Sequence, residues 1–214
     1  MKHLLTSLFI LTLLLAACGG SPAPTSAPAA APAPSGSAAD AIIAAMLAQL
    51  AAGPYRTDTV IVSDSGTINL TGEMIPPDKL RTIMKTANFE SETIAIGDTA
   101  WSKRDGVWSV LPVSGKDILQ AAFPELTAES LGATISNAQK AGSETVNGEE
   151  ARVYTYTSTT FLEGSTVVGE VKLWVSVKSG LPIKQEIAGE AAGIKSNTVQ
   201  MIEYDAAITI TPPM

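Results

Sequence analysis

Cys18 is the one residue whose type and place promise covalent chemistry. It is the only cysteine among 214 residues, so it cannot close an internal disulfide. It sits at the end of a leader: Met1-Lys2-His3, an apolar run from Leu4 through Leu15 broken by Thr6, Ser7 and Thr12, then Ala16 and Ala17. A basic start, a short greasy stretch and small residues at its end form a secretory signal. The stretch is shorter than the roughly 20 apolar residues of a spanning helix. A thiol at the cleavage point reads as an acylation site. The other reading is an ordinary signal peptide with an incidental cysteine.

Leu15-Ala16-Ala17-Cys18, followed by Gly19 and Gly20, resembles the lipobox of bacterial lipoproteins. That resemblance implies cleavage before Cys18 and lipid, such as palmitate, on its thiol and new amino group. Two or more acyl chains give lasting attachment, since each buried CH₂ contributes about 0.8 kcal/mol. The expected location is extracytoplasmic, lipid-anchored to the cell membrane.

Little other chemistry remains. His3 is the only histidine and leaves with the leader. Ser-His-Asp and Cys-His catalysis, and histidine zinc sites, then lack a member. There is no Gly-rich phosphate loop and no EF-hand loop. No cofactor or metal is expected, and no enzyme activity. Glu149 and Glu150 are neighbours, which a strand would point to opposite faces; they read as a solvated turn beside Asn147-Gly148. Glu90 and Glu92 would share a strand face and read as a solvated strand edge. Cleavage takes Lys2, leaving 14 − 1 = 13 basic residues against 21 acidic, a formal charge of −8. With no basic stripe, nucleic acid is not an expected partner. An acidic surface also has no pull toward anionic lipid heads, so the acyl chains must supply membrane attachment. Protein partners are not legible.

The elements that must position any site begin after a tether. Three segments are expected: residues 1–17 as signal peptide, 18–39 as lipidated cysteine and Pro/Ala/Ser-rich tether, and 40–214 as the folded domain. Pro22, Pro24, Pro28, Pro32 and Pro34 space out small residues that cannot build a core. Asp40 is a good helix N-cap and Gly53-Pro54 a good stop. Between them Ile43, Met46, Leu47 and Leu50 repeat as one helix face; the alanine-rich other face could also be partly buried. A second helix is expected after Ser114, where Ser114-x-x-Asp117 resembles a capping box, with Ile118, Leu119, Ala122 and Phe123 as its stripe. A third is expected over 128–133.

The remainder alternates with period two, as in an antiparallel sheet with one wet face. Ile68, Leu70, Gly72 and Met74 alternate with polar residues. Val171, Leu173, Val175 and Val177 alternate with Glu170, Lys172, Trp174 and Ser176. In 198–205, Val199 and Met201 fall on one face and Ile202 and Tyr204 on the other. Asp105-Gly106, Asn147-Gly148 and Ser179-Gly180 supply turns. About nine or ten strands form one meander, an α+β arrangement with two or three helices over one face.

Gly72-Glu73-Met74-Ile75-Pro76-Pro77-Asp78-Lys79-Leu80-Arg81, the run from Glu92 to Asp98 with Trp101 and Gly106-Val107-Trp108, Leu173-Trp174-Val175 with Ser179 to Lys184, and Tyr204-Asp205 with Ile208 to Ile210 resemble, in order and spacing, the LolA/LolB lipoprotein-carrier superfamily. They are most similar to its LppX/LprG-type lipoproteins. The resemblance implies a strongly curved antiparallel half-barrel with helices in its concave face, and an apolar space between them for acyl chains or lipidated cargo. Aromatic residues are only 5% of the chain, so aliphatic side chains and Met would line that space.

The candidate linings are Met46, Leu50, Ile68, Leu70, Met74, Leu173, Val175 and Met201. They either pack against the first helix or line a gap beside it, and that choice separates two functions. One is a carrier of a lipid or acyl-chain ligand. The other is a non-carrying module of the same fold, binding a partner or associated with a sensor. Trp101 and Trp108 flank Asp105-Gly106 and are read as packing under the helices. Trp174 stands opposite the aliphatic row, where packing and a ligand mouth both remain open.

Overall fold

A computed structural model describes residues 36–123, 125–162, 165–191, 194–204 and 207–213. Cys18, the signal segment and the tether up to residue 35 lie outside the described residues. Three helices accompany eleven strands, in the order α1 (Ala38–Ala51), β1 (Tyr55–Ser63), β2 (Gly66–Ile75), β3 (Lys79–Lys85), β4 (Glu90–Ile96), β5 (Thr99–Arg104), β6 (Val107–Val110), α2 (Gly115–Ala122), α3 (Ala128–Thr134), β7 (Ile135–Val146), β8 (Glu149–Leu162), β9 (Ser165–Ser176), β10 (Pro182–Ala191) and β11 (Ile194–Tyr204). They make one open antiparallel sheet, ordered β6-β5-β4-β3-β2-β1-β11-β10-β9-β8-β7. Two meanders therefore meet at the β1–β11 pair, with Tyr55 opposite Tyr204. The architecture is the expected α+β curved half-barrel. Its strand number exceeds the nine or ten expected, because edge strand β7 is mostly exposed and carries no clear apolar alternation.

The turns follow their residues. Asp105 and Gly106 have φ of 51° and 80°, and Asn147 and Gly148 have 51° and 84°, the left-handed pair that a two-residue hairpin turn requires.

Helix α1 starts earlier than Asp40 and is capped by Ser37. The Ser37 hydroxyl accepts the Asp40 N–H at 3.2 Å, and the Asp40 carboxylate accepts the Ser37 N–H at 2.9 Å. Asp40 is thus the reciprocal partner in a capping box. The buried face is also turned from the expected one. Ala41, Ile42 and Ala45 are buried, whereas Ile43, Met46, Leu47 and Leu50 are half-buried. Small alanines let the helix sit close to the sheet, and Ile43 faces Gly132 of α3 instead. In α2, Ser114 caps the Lys116 N–H at 3.1 Å and Leu119 is the buried residue of the stripe.

Both α1 and α2 lie on the same, concave side of the sheet. Under α1 are Tyr154, Tyr156, Val171, Leu173 and Val175; under α2 are Leu80, Ala95 and Ala100. The register joins these two patches through β11, β1 and β2, since Leu173 pairs Gln185, Gln185 pairs Gln200, Gln200 pairs Thr59, Thr59 pairs Leu70 and Leu70 pairs Met84.

The convex side has its own packing. Ala151, Val153, Trp174 and Ile183 form one cluster. A second joins Ile94 to Ile208 and Ile210, with Trp101 and Trp108 packed against it. These tryptophans pack, but against Ile94, Ile208 and Ile210 on the convex side rather than under the helices, and they sit diagonally: Trp101 pairs Val110 and Trp108 pairs Lys103. The C-terminal residues 207–213 act as a strap across this face, held also by Lys79 Nζ donating to the Ile210 carbonyl at 3.5 Å. Replacing Ile210, only 2% exposed, by alanine is expected to lower stability by about 2 kcal/mol. Denaturant titration checks this, and a red shift of tryptophan emission would report a loosened strap over Trp101 and Trp108.

Glu92 is not at a solvated strand edge. Strand β4 is interior, and the Glu92 side chain is 16% exposed. It pairs with Arg81 at 2.7 Å and Lys103 at 3.8 Å, while Glu73 pairs with Arg81 at 3.1 Å and Arg56 at 3.0 Å. This ladder of alternating charge crosses β1 to β5. Glu90 does remain exposed, paired with Lys85 at 3.3 Å.

Candidate functional site

The sequence reading turns on whether a strip of the concave face stays free of helix. Strands β11, β1 and β2 provide that strip between the α1 and α2 patches. Period two brings Tyr55, Thr57, Thr59 and Ile61 beside Met74, Gly72, Leu70 and Ile68, and beside Tyr204, Ile202, Gln200 and Thr198. At one end the strip is closed: Tyr55, Thr57, Thr59 and Ile202 are buried. The Tyr55 and Tyr204 rings lie 6.0 Å apart, and the Tyr204 hydroxyl donates to the Pro182 carbonyl at 2.8 Å. Gly72 belongs here because a Cβ would come within 2.7 Å of the Thr57 and Met74 side chains. Toward the other end Ile61, Ile68 and Leu70 are half-buried and belong to neither helix-covered cluster. At that end, Met46 of α1 with Tyr156, Val171 and Ile187 walls a cavity of about 260 Å³.

The candidate linings separate into groups. Ile68 and Leu70 lie on the strip, and Met46 walls the cavity. Met74 packs at the margin of the Leu80 cluster. Leu173 and Val175 are 1% and 5% exposed, packed under α1. Leu50 is half-buried near the end of α1. Met201 falls on the opposite, convex face and is a correction. It pairs Lys184 and Asp58, whereas Ile202 is the residue of β11 that joins the concave side. A methionine seemed to belong with the aliphatic row, but parity decides the face. Met201 instead lines a separate cavity of about 550 Å³ with Val146, Leu181 and Ile183 at the other end of the sheet. Tyr156 and Ile187 were not picked out from sequence. The signal was present, because Tyr154 and Tyr156 alternate with Val153 and Thr155, yet both parities are apolar enough to mask the face.

Trp174 is resolved as packing. It is 1% exposed, its indole N–H donates to Glu144 Oε2 at 2.8 Å, and the Lys172 and Lys184 ammonium groups lie 4.6 and 4.3 Å from the ring centre. Glu149 is half-buried and accepts a short hydrogen bond from the Ser176 hydroxyl, whereas Glu150 is exposed. Among the described residues, no group of three or more His, Cys, Asp or Glu side chains is placed to hold a metal ion. No helix among them is long and apolar enough to cross a membrane.

The tyrosines of the strip and of the cavity beside Met46 give this face a pH signature. Burial pushes the Tyr156 phenol from 10.0 up to about 12. Burial, then the neighbouring Tyr55, raises Tyr204 further. A phenol raised in the folded state gives stability that is intact below the unfolded value and lost as pH climbs through the folded one. Stability is therefore expected to hold up to about pH 10 and to fall between pH 10 and 12. Urea titrations across that range check it. Tyr156→Phe should flatten part of the decline.

No protein-family model and no curated protein sequence matches the chain. Among solved structures, LprF from Mycobacterium bovis is similar with a TM-score of 0.57, covering 82% of this chain and 96% of that one at 13% identity. The Mycobacterium tuberculosis lipoprotein LppX is similar with a TM-score of 0.55, over 80% of this chain and 99% of that one, also at 13% identity. The chain thus has the fold of LprF and LppX, as the LppX/LprG-type resemblance led one to expect.

Proposed function

We propose that this chain is an extracytoplasmic lipoprotein, anchored through acyl groups on Cys18, whose domain binds one acyl chain or similar apolar ligand on its concave face. The tether runs from Cys18 up to the Ser37 cap of α1, and the rest of the chain serves as the binding domain. The observation that supports the reading is the strip of Ile61, Ile68 and Leu70, lying between two helix-covered patches and belonging to neither. An acyl chain laid there exchanges water for aliphatic contact on both surfaces. Covering roughly 200 Å² of apolar area contributes about 5 kcal/mol.

Size limits the ligand. The cavity beside Met46, about 260 Å³, is below the roughly 300–1,000 Å³ of ordinary ligand pockets. It suits part of one chain, with the remainder on the open strip. The same tightness of Leu173 and Val175 beneath α1 favours a second reading, a filled module that docks a partner and carries nothing. Mass spectrometry of the full chain under native conditions, with extraction of its organic-soluble content, separates the two. The carrier reading expects a lipid-sized adduct, and Leu70→Glu, which places a charge on the strip, should reduce occupancy at least about tenfold. Absence of any adduct from the unaltered chain leaves the filled module. Incorporation of a labelled palmitate analogue, abolished by Cys18→Ser, tests the anchor separately.

A further inference from the structure

Charge is sorted between the two faces of the strands that make and flank the strip. Among the described residues of β1, β2, β10 and β11, the register puts every Asp, Glu, Lys and Arg on the parity of Met201, the convex one, from Arg56 and Asp58 through Glu73 to Lys184 and Glu203. The concave parity of the same strands carries neutral side chains alone. Charges of concave parity lie on other strands: Arg104 of β5, Lys140 of β7, and Glu150 and Arg152 of β8.

Neutral is not the same as apolar. Gln185, Gln200 and Thr59 stand side by side across β10, β11 and β1. The Gln200 carboxamide donates one N–H to the Thr59 hydroxyl at 3.1 Å. Its second N–H and its oxygen have no partner among the described residues. Gln185 is half-buried, makes no side-chain hydrogen bond among the described residues, and walls the cavity beside Met46. Ser158 and Ser196 line that cavity too. An apolar site with a few neutral donors orients its ligand through them, and a donor closed off without an acceptor is costly.

These groups select by charge. A carboxamide N–H and a hydroxyl suit a neutral carbonyl oxygen. An ionised carboxylate needs a cation or several donors to offset its lost hydration, and the strip offers no cation. Glu190, the charged residue in the cavity wall, is exposed and negative, so it repels a carboxylate as well.

We propose that Gln185, backed by the Gln200–Thr59 pair, is a carbonyl-binding subsite that selects acyl chains in ester or amide linkage over free fatty acid anions. The proposal rests on the acyl-binding reading above and adds which acyl compounds the face accepts. The carbonyl sits where cavity and strip meet, and Gln185 fixes how far the chain can slide over Ile61, Ile68 and Leu70.

The test uses the full chain carrying Cys18→Ser, which removes the anchor's own acyl groups as competitors, after any co-purified lipid has been exchanged off. Glycerol monododecanoate, its ether analogue 1-O-dodecylglycerol and dodecanoate share one chain length and differ at the carbonyl. Calorimetric titration at neutral pH, below their micelle concentrations, reads the affinities. The ester is expected to bind about fivefold tighter than the ether, the worth of one hydrogen bond, and at least about tenfold tighter than dodecanoate. Gln185→Leu should abolish the preference for ester over ether while the ether binds as before, and Gln200→Leu should reduce it. Gln185→Lys should turn the selectivity round, with dodecanoate gaining at least about tenfold. Circular dichroism checks that each variant folds. Equal affinity for ester and ether, or tightest binding of dodecanoate, would overturn the subsite and leave the acyl-binding reading in place. An ester preference that survives both leucine variants does the same. If none of the three probes binds, the acyl-binding reading falls and the subsite with it.

Discussion

Replacing Trp174 by alanine is expected to lower the stability of the domain by about 3–5 kcal/mol, the range for emptying a large aromatic site. The residue is 1% exposed and packs with Ala151, Val153 and Ile183. Its neighbours cannot readily fill the gap, because Val153 and Lys184 are held opposite it by the strand ladders of β8 and β10. Each lysine over the ring adds roughly 0.5–1 kcal/mol. Trp174→Phe separates the contributions. It keeps most of the apolar area and loses the N–H to Glu144, which is half exposed and turns to water, so about 1 kcal/mol is expected. Denaturant midpoints of the two variants check the ratio, and comparable losses would show that the hydrogen bond rather than the packing dominates.

The functional consequence follows from period two. Leu173 and Val175 flank Trp174 in β9 and point the other way, into the cluster beneath α1. A cavity on the convex face loosens the strand whose concave residues hold α1 in place. Trp174→Ala should therefore also weaken ligand retention, without touching the strip itself.

Which parts of this arrangement are readable from sequence depends on how many structures a pattern allows. Asn147-Gly148 and Asp105-Gly106 admit one turn, and the alternation from Ile68 to Met74 admits one face. Those features were legible. The register that brings Thr59 beside Leu70 and Gln200 was not, because it depends on the order in which two meanders meet. Helix α1 was legible as a helix but not in rotation. Nearly every position from Ala41 to Ala48 is apolar, so the sequence defines no wet face, and the closeness alanine permits selects Ala41, Ile42 and Ala45 as the contact. Glu92 reads as solvated because its partners Arg81 and Lys103 come from two other strands. Met201 fails for the opposite reason: its chemistry fits the aliphatic row, but the β11 register turns it to the other side. The strip between α1 and α2 was beyond reading, since it is defined by where two helices stop.

The wall on the α2 side of that strip depends on a single missing methyl group. Gly115 opens α2 against the β4–β5 turn. Its N–H donates to the Asp98 carbonyl at 3.0 Å, and a Cβ there would lie 2.5 Å from the Thr99 carbonyl oxygen and 2.7 Å from that of Gly97. These are backbone atoms of a tight turn and cannot swing aside as a side chain would. Gly115→Ala must therefore lift the first turn of α2, drawing Ile118 and Leu119 away from Leu80, Ala95 and Ala100. The expected loss is about 3 kcal/mol, at the upper end for overpacking, because burial is lost as well as strain gained. Gly132 of α3 supplies the control. A Cβ there meets only the Ile43 side chain, at an ordinary 3.8 Å. Gly132→Ala should stabilise by roughly 0.4–1 kcal/mol through the unfolded chain. Denaturant titration should rank the three proteins Gly132→Ala, unaltered, Gly115→Ala. Amide exchange at Leu119 and Phe123 should accelerate in Gly115→Ala alone. If Gly115→Ala instead matches the unaltered protein, α2 does not abut the β4–β5 turn, and the strip has no fixed wall on that side.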